Sequence, residues 1–318
     1  MTTTVTRAWP TKIENVNGLT EDEIYQRCPA VFAEQAHESR SSRFVTYPTG
    51  TVLTELRKLN FIPTLAMQGG SRIEGKHLYT RHLVRVRQID DLGFVLPDTP
   101  EIVVINAADG TAAYKIILGV FRYICANGQI SGDEWASIRV PHSNNVVEEV
   151  LDATLQLSQQ SEEIMYTVNA LKNVRLDWDM QKYLAQCAML VRYGAEVEAQ
   201  ENEEEGQRGR VVESTLATLD EVPQAMTVFQ PEDFLMRRRE EDGREYQSVD
   251  AWRAMNVVQE NLLREGVSRE VPYIDERGRP RKRLHKTKNI NSVAANVSIN
   301  QACWALTKLL AKHEGADL

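Results

Sequence analysis

The sequence predicts an α+β fold: an antiparallel sheet with packed helices, followed by a long helical hairpin and C-terminal helices. Three observations predict it. Short apolar or alternating runs bounded by turn residues fill 43–142. Beyond Ser143 the apolar residues switch to a seven-residue spacing, Val150, Leu157, Ile164 and Leu171. Near the C-terminus two helical stretches flank a basic segment. The implied organisation is a polar lead over 1–42, a sheet region over 43–142 and a helical hairpin over 143–200. An acidic linker and loop over 201–247 and a C-terminal helical region with a basic loop over 248–318 complete it.

Within the lead, 21–38 is a helical candidate. Residues 43–48 suggest a short strand ended by Pro48. Residues 51–59 form a helix, with Thr49 or Thr51 as cap and Val52, Leu53, Leu56 and Leu59 on one face. A strand over 61–67 follows, its Pro63 favouring an edge or strand start, and 78–89 alternates as a second strand. Residues 101–106 suit a central strand before an Asp109-Gly110 turn. The stretch 112–125 reads as a helix with Ile116, Ile117, Val120 and Tyr123 inward, and 135–140 as a strand.

The seven-residue series spans 145–173 and predicts one long helix with a narrow apolar seam. A second helix begins at Asp177, with Met180, Tyr183, Leu184, Cys187, Leu190 and Val191 on its buried side. The segment Glu201-Asn202-Glu203-Glu204-Glu205 is acidic and lacks large apolar side chains, as an exposed loop would. Helices over 248–263 and 298–312 bracket the basic loop over 275–288.

With 42% hydrophobic residues among 318, the chain can bury a core without a disulfide or metal staple. Cys28, Cys125, Cys187 and Cys303 are scattered, so reduced, mostly buried thiols are expected, and no metal or cofactor. No stretch reaches the roughly 18 apolar residues of a membrane span, and Met1 to Arg7 lacks an apolar signal core. The expectation is a cytoplasmic protein of a bacterial cell with no membrane partner.

A net charge of −8 excludes a protein that coats nucleic acid with its whole surface, but not a local basic groove. Two segments suggest one. From Arg72 to Gln88 five Lys/Arg stand against one acid, Glu74, and strand alternation would set Tyr79, Arg81, Arg85 and Arg87 on one outward face. Arginines beside tyrosine suit phosphate pairing and base stacking on a single strand. From Arg277 to Lys288 seven Lys/Arg occur without an acid, among them Arg281, Lys282, Arg283, Lys286 and Lys288. That density suits phosphate contact from a flexible loop, with little sequence readout. Each also has a plainer explanation: an outward sheet face paired with acids elsewhere, or a solvated loop.

Catalytic patterns are missing. The sequence contains no GxxxxGK[ST] loop, GxSxG elbow or HExxH helix. His77, His82, Cys125 and His142 match no zinc spacing, and Asp133-Glu134 and Asp177/Asp179 are acids of low specificity.

Several strings in order carry a resemblance: 81–87 (RHLVRVR), 109–114 (DGTAAY), 121–128 (FRYICANG), 138–142 (IRVPH), 252–261 (WRAMNVVQEN) and 300–304 (NQACW). Together they resemble a phage- and plasmid-borne family, YfjQ/YafZ-like and also found in cryptic prophages, known chiefly as a domain of unknown function. Pro141 departs from it, standing where an arginine is common before the histidine. The resemblance implies a mobile-element protein and supplies no mechanism. Residues 50–88, with the Leu59-Asn60-Phe61 exit from a short helix, are also similar in pattern to single-strand annealing proteins of the Rad52 type. That likeness implies rings holding single-stranded DNA in a basic groove.

The sequence and the resemblances together point to a non-enzymatic accessory protein of a phage or plasmid that binds nucleic acid, with single-stranded DNA binding or annealing as the expected activity, as a homo-oligomer. The alternative is an interaction protein that meets a host defence or replication factor through Glu201, Glu203, Glu204 and Glu205 and the helical hairpin.

Overall fold

A computed structural model of the chain describes residues 10–15, 17–40, 44, 46–88, 98–122, 127–130, 136–141, 145–194, 228–235 and 249–318. The acidic run Glu201 to Glu205, Arg237 to Arg239, Asp133-Glu134, Cys125 and His142 lie outside the described residues.

The chain divides into two compact units, one of 1–171, 290–305 and 317–318, the other of 172–289 and 306–316. The first is built on an antiparallel sheet in which chain order is spatial order: β1 (Thr11–Glu14), β2 (Phe61–Gln68), β3 (His82–Gln88), β4 (Asp98–Asn106) and β5 (Tyr114–Arg122). Both β6 (Asn127–Ile130) and β7 (Ser137–Val140) pair with β5, on different stretches of it. The β1–β2 connection carries α1 (Glu21–Arg27) and α2 (Thr49–Lys58), whereas β2 to β3 and β4 to β5 join neighbouring strands directly. In the turn from α2 into β2, Asn60 takes a left-handed φ of 64° that asparagine tolerates.

Both faces of the sheet are covered. On one lie Ala66, His82, Val84, Ile102, Val104, Tyr114 and Ile116, all buried. Here α2 packs on β2, while α3 (Val146–Gln159) packs on β4, β5 and β7 and against α2. On the other face Met67, Leu83, Val103, Ile105 and Ile117 form a cluster with Val293 and Val297 from the first turns of α7 (Val293–His313). The seven-residue seam does core work, since Val150, Leu157, Ile164 and Leu171 are fully buried. The single helix expected over 145–173 is broken at Gln160, where α4 (Ser161–Asn173) begins. With α1 (Glu21–Arg27), capped reciprocally by Thr20 and Glu23, these elements complete the first unit.

In the second unit α5 (Trp178–Met189) is capped by Asp177 and α6 (Ala251–Leu263) by Asp250. They pack together around Leu184, Ala188, Phe234, Trp252, Met255 and Val258. The short pair β8 (Arg175–Leu176) and β9 (Val249–Asp250) joins their starts. A two-stranded ribbon follows, β10 (Ser268–Ile274) with β11 (Pro280–Lys286).

Several expectations are corrected. Residues 114–122 are a strand, not part of a helix: Ile116, Ile117, Leu118 and Val120 are buried on both faces of a central strand, so the run lacks alternation. Of the strand expected over 43–48, the described residues 44 and 46–48 carry none. Pro63 keeps its expected place near the strand start: β1 pairs only Leu65 to Gln68 of β2, and the β2–β3 register shifts between Pro63 and Leu65. The α5 stripe is rotated as well. Gln181, Leu184, Ala185, Ala188 and Met189 are buried, while Tyr183 is 62% exposed. The basic loop over 275–288 is mostly the strand β11.

Candidate nucleic-acid interface

The structure sorts the nine candidate residues into three environments. Arg281, Lys282, Arg283 and Lys286 are on β11, and Lys288 follows it; all five are exposed. The ribbon closes through Asp275, whose carboxylate accepts from the backbone N–H of Arg277 at 3.0 Å and of Arg279 at 2.9 Å. Gly278 supplies the positive φ of 73° that the turn needs. Those backbone bonds, Arg279's foremost, hold the Asp275 carboxyl below its ordinary range.

Residues paired across the strands share a face. Tyr273 stands opposite Arg281, Val271 opposite Arg283 and Arg269 opposite His285. The reverse face carries Glu270, Pro272 and Ile274 against Leu284, Lys282 and Pro280. Arg281 reaches Asp275 at 3.4 Å and Lys282 reaches Glu270 at 3.0 Å, exposed pairs that a phosphate can outcompete. Arg277, Arg283, Lys286 and Lys288 meet no carboxylate among the described residues. Among the described residues only the base is anchored: Arg269 binds Asp233 at 2.9 Å, the Thr287 N–H donates to the Val267 carbonyl, and the Arg192 guanidinium donates to the Lys288 carbonyl at 2.6 Å. At about 3.4 Å per residue each seven-residue strand is about 24 Å long.

Tyr79 and Arg81 are in the first unit and not on β3. Lys76–Tyr79 is a single 3-10 turn, and β3 starts at His82. Tyr79 stacks edge-on with His37 at 5.3 Å between ring centroids. Arg81 donates to the Thr111 carbonyl and lines an open cleft.

Arg85 and Arg87 are corrected outright as an outward face. They are 6% and 3% exposed, on the sheet face that α7 enters. Arg85 forms a hydrogen-bonded ion pair with Glu101, itself 1% exposed, on the neighbouring strand. Arg87 donates from Nε to the Thr64 hydroxyl at 3.2 Å. Burial pushes the Glu101 carboxyl up, against the pull of Arg85 and then Arg87. An arginine row reads as exposed until an acid on the adjacent strand neutralises it, and Glu101 lay hidden at the head of an apolar run.

Other candidate chemistry is quenched by burial. It pushes the Cys28 thiol up to about 11 and the Cys303 thiol up to about 12, so neither is a thiolate at neutral pH. Among the described residues no group of His, Cys, Asp and Glu is placed to hold a metal ion, and no helix is long and apolar enough to cross a membrane.

The family described as Domain of unknown function (DUF932) matches residues 36–304. The chain belongs to this family. Two relatives from Escherichia coli (strain K12), UPF0380 protein YafZ and UPF0380 protein YfjQ, are each 29% identical to it over 294 residues, covering 92% of this chain and 91% of theirs. No solved structure matches the chain. The DUF932 match takes in β2 to β5, the ribbon and the first turns of α7, and leaves out β1 and α1. What the sequence of this DUF932 chain did not reveal was β10. A hairpin signal was present, since Asp275 and Gly278 sit between Val271-Pro272-Tyr273-Ile274 and Pro280.

Proposed function

We propose that this chain is a nucleic-acid-binding accessory protein of a phage or plasmid, and that the β10–β11 ribbon is its backbone-contacting arm. The observation that carries the reading is an exposed two-stranded ribbon with Arg281 and Arg283 on one face and Lys282 and Lys286 on the other. Two strands alone are marginal in water, so a ribbon anchored, among the described residues, at its base alone is poorly explained by stability. One or two lysines suffice to keep an open strand edge from pairing with another chain, and Arg277 to Lys288 holds seven cations. Tyr273, 48% exposed beside Arg281, offers an unpaired base a stacking surface, which favours single strands. The family resemblance read from the sequence supports the mobile-element setting.

Replacing Arg281, Lys282 and Arg283 with alanine tests this reading, and their exposure leaves the fold intact. We expect weaker binding to labelled DNA of any sequence. The log–log salt slope should flatten by about 2 on a single strand and about 3 on a duplex, one phosphate for each cation removed. Unchanged DNA binding with a lowered melting temperature would mean the arm is paired internally, and the reading fails.

We also propose that the chain self-associates through the second unit. Met180, Tyr183, Cys187, Leu306, Leu309 and Leu310 line an apolar groove in which Tyr183 is 62% and Leu309 69% exposed. Its rim carries the carboxylates of Asp177 and Asp179 together with the His313 ring, so a second copy related by a two-fold axis can set hydrogen-bond donor against acceptor. Light scattering over a concentration series should find dimers or larger assemblies that Leu309→Glu dissociates. A wild-type monomer at every concentration counts against it.

A further inference from the structure

Besides the ribbon, the first unit holds a cleft of about 450 Å³ between the 69–72 turn, the start of β3 and the first turn of α7. Arg72 and Arg81 line it, with Thr80, Asp109, Thr111 and Ser292 to Ala294. We propose that this cleft binds a terminal phosphate group, free or carried by a nucleotide.

Three features converge on a small dianion. Arg72 is exposed and meets no carboxylate among the described residues. Arg81, half-buried in the cleft wall, spends one terminal nitrogen on the Thr111 carbonyl and leaves the other without a hydrogen-bond partner among the described residues. Ser292 caps α7, its hydroxyl accepting from the Ala295 N–H at 3.3 Å. The N–H groups of Val293 and Ala294 precede the first intrahelical bonds and border the cleft, at the positive end of a 21-residue helix.

The acid in the lining does not oppose this. Asp109 accepts from the Thr111 hydroxyl at 2.6 Å and the Thr111 N–H at 3.1 Å, and pairs with Lys76 at 3.7 Å. Its charge is therefore balanced within the cleft wall. Two guanidinium groups and a helix N-terminus are left for a ligand, and only a multiply charged anion uses them all.

Isothermal titration of the full chain with inorganic phosphate, and separately with adenosine 5′-monophosphate, tests the site against sodium chloride of matched ionic strength. We expect saturable phosphate binding that Arg72→Gln weakens by about tenfold, since one charge-assisted bond is removed. Arg72 is exposed, so folding is unaffected. Arg81→Gln should weaken it at least as much. Ala294→Glu places a carboxylate at the helix start, which the helix tolerates and the anion does not, and should abolish binding. Tighter binding of the monophosphate would identify a nucleotide as the source, and equal binding the phosphate alone; both uphold the site. No binding beyond sodium chloride, or wild-type affinity in both arginine variants, overturns it. The triple ribbon variant retains phosphate binding, so failure of the cleft and failure of the ribbon are read separately.

Discussion

Glu101→Ala is expected to destabilise the first unit by about 3–5 kcal/mol, because it strands buried guanidinium charge. Glu101 is the acid paired with Arg85, and Arg87 stands beside it on the same face, all three under 7% exposed. Taking ions from water costs several kcal/mol each, and the pair withstands that only while the carboxylate is present. Urea unfolding should therefore show a lowered midpoint for Glu101→Ala, and likewise for Arg85→Ala with Arg87→Ala. Glu101→Leu with Arg85→Met and Arg87→Met should recover most of the loss, since apolar replacement of a whole buried ion cluster is often neutral. If Glu101→Ala lies within about 0.5 kcal/mol of wild type, the range of an ordinary surface substitution, the pair is solvated rather than buried. Binding defects in Arg85 or Arg87 variants would report on folding before they report on any ligand.

That reassignment shows what the sequence could and could not express. The strands β2, β3 and β4 were legible, because turns at Asn60 and Asp109-Gly110 bracket short apolar runs. The strand β5 was not: Ile116 to Val120 has buried apolar side chains on both faces, and helix and buried strand look alike without alternation. The seam from Val150 to Leu171 predicted buried positions correctly, yet carried no sign of the break at Gln160. Of the site, the cations of β11 were visible as composition. Their placement depended on β10, whose Ser268-Arg269-Glu270 start and Pro272 resemble neither a buried nor a half-buried strand. The cleft was less legible still, because Arg72, Arg81 and Ser292 meet only through the fold.

A pH experiment probes the opposite face of the sheet. His82 is fully enclosed, its Nε2 2.7 Å from the Thr49 hydroxyl and its Nδ1 3.2 Å from the Thr80 carbonyl. A carbonyl only accepts, so Nδ1 carries the proton and Nε2 accepts from Thr49, which is the neutral ring. Asn106 donates to the same hydroxyl at 3.2 Å, and Tyr114 donates to the Tyr47 carbonyl at 2.8 Å, closing a buried polar network under α2. Burial pushes the His82 pKa down from 6.5 to about 4, against the Thr80 carbonyl and the Asp109 charge. As pH falls below 6.5 the unfolded chain takes up this proton and the folded chain does not until about pH 4. Stability contributed by the neutral ring is therefore lost as pH falls through that window and levels off below it. Between pH 7 and pH 5 the loss should reach about 2 kcal/mol, at 1.36 kcal/mol per unit below the unfolded value. His82→Gln removes the titrating group, so its stability, lower at pH 7, should fall less steeply over the same range. Surface carboxylates titrate alike in both proteins and cancel in the difference. Parallel pH profiles for wild type and His82→Gln would show that the ring is protonated in the fold, and the neutral network under α2 would have to be abandoned.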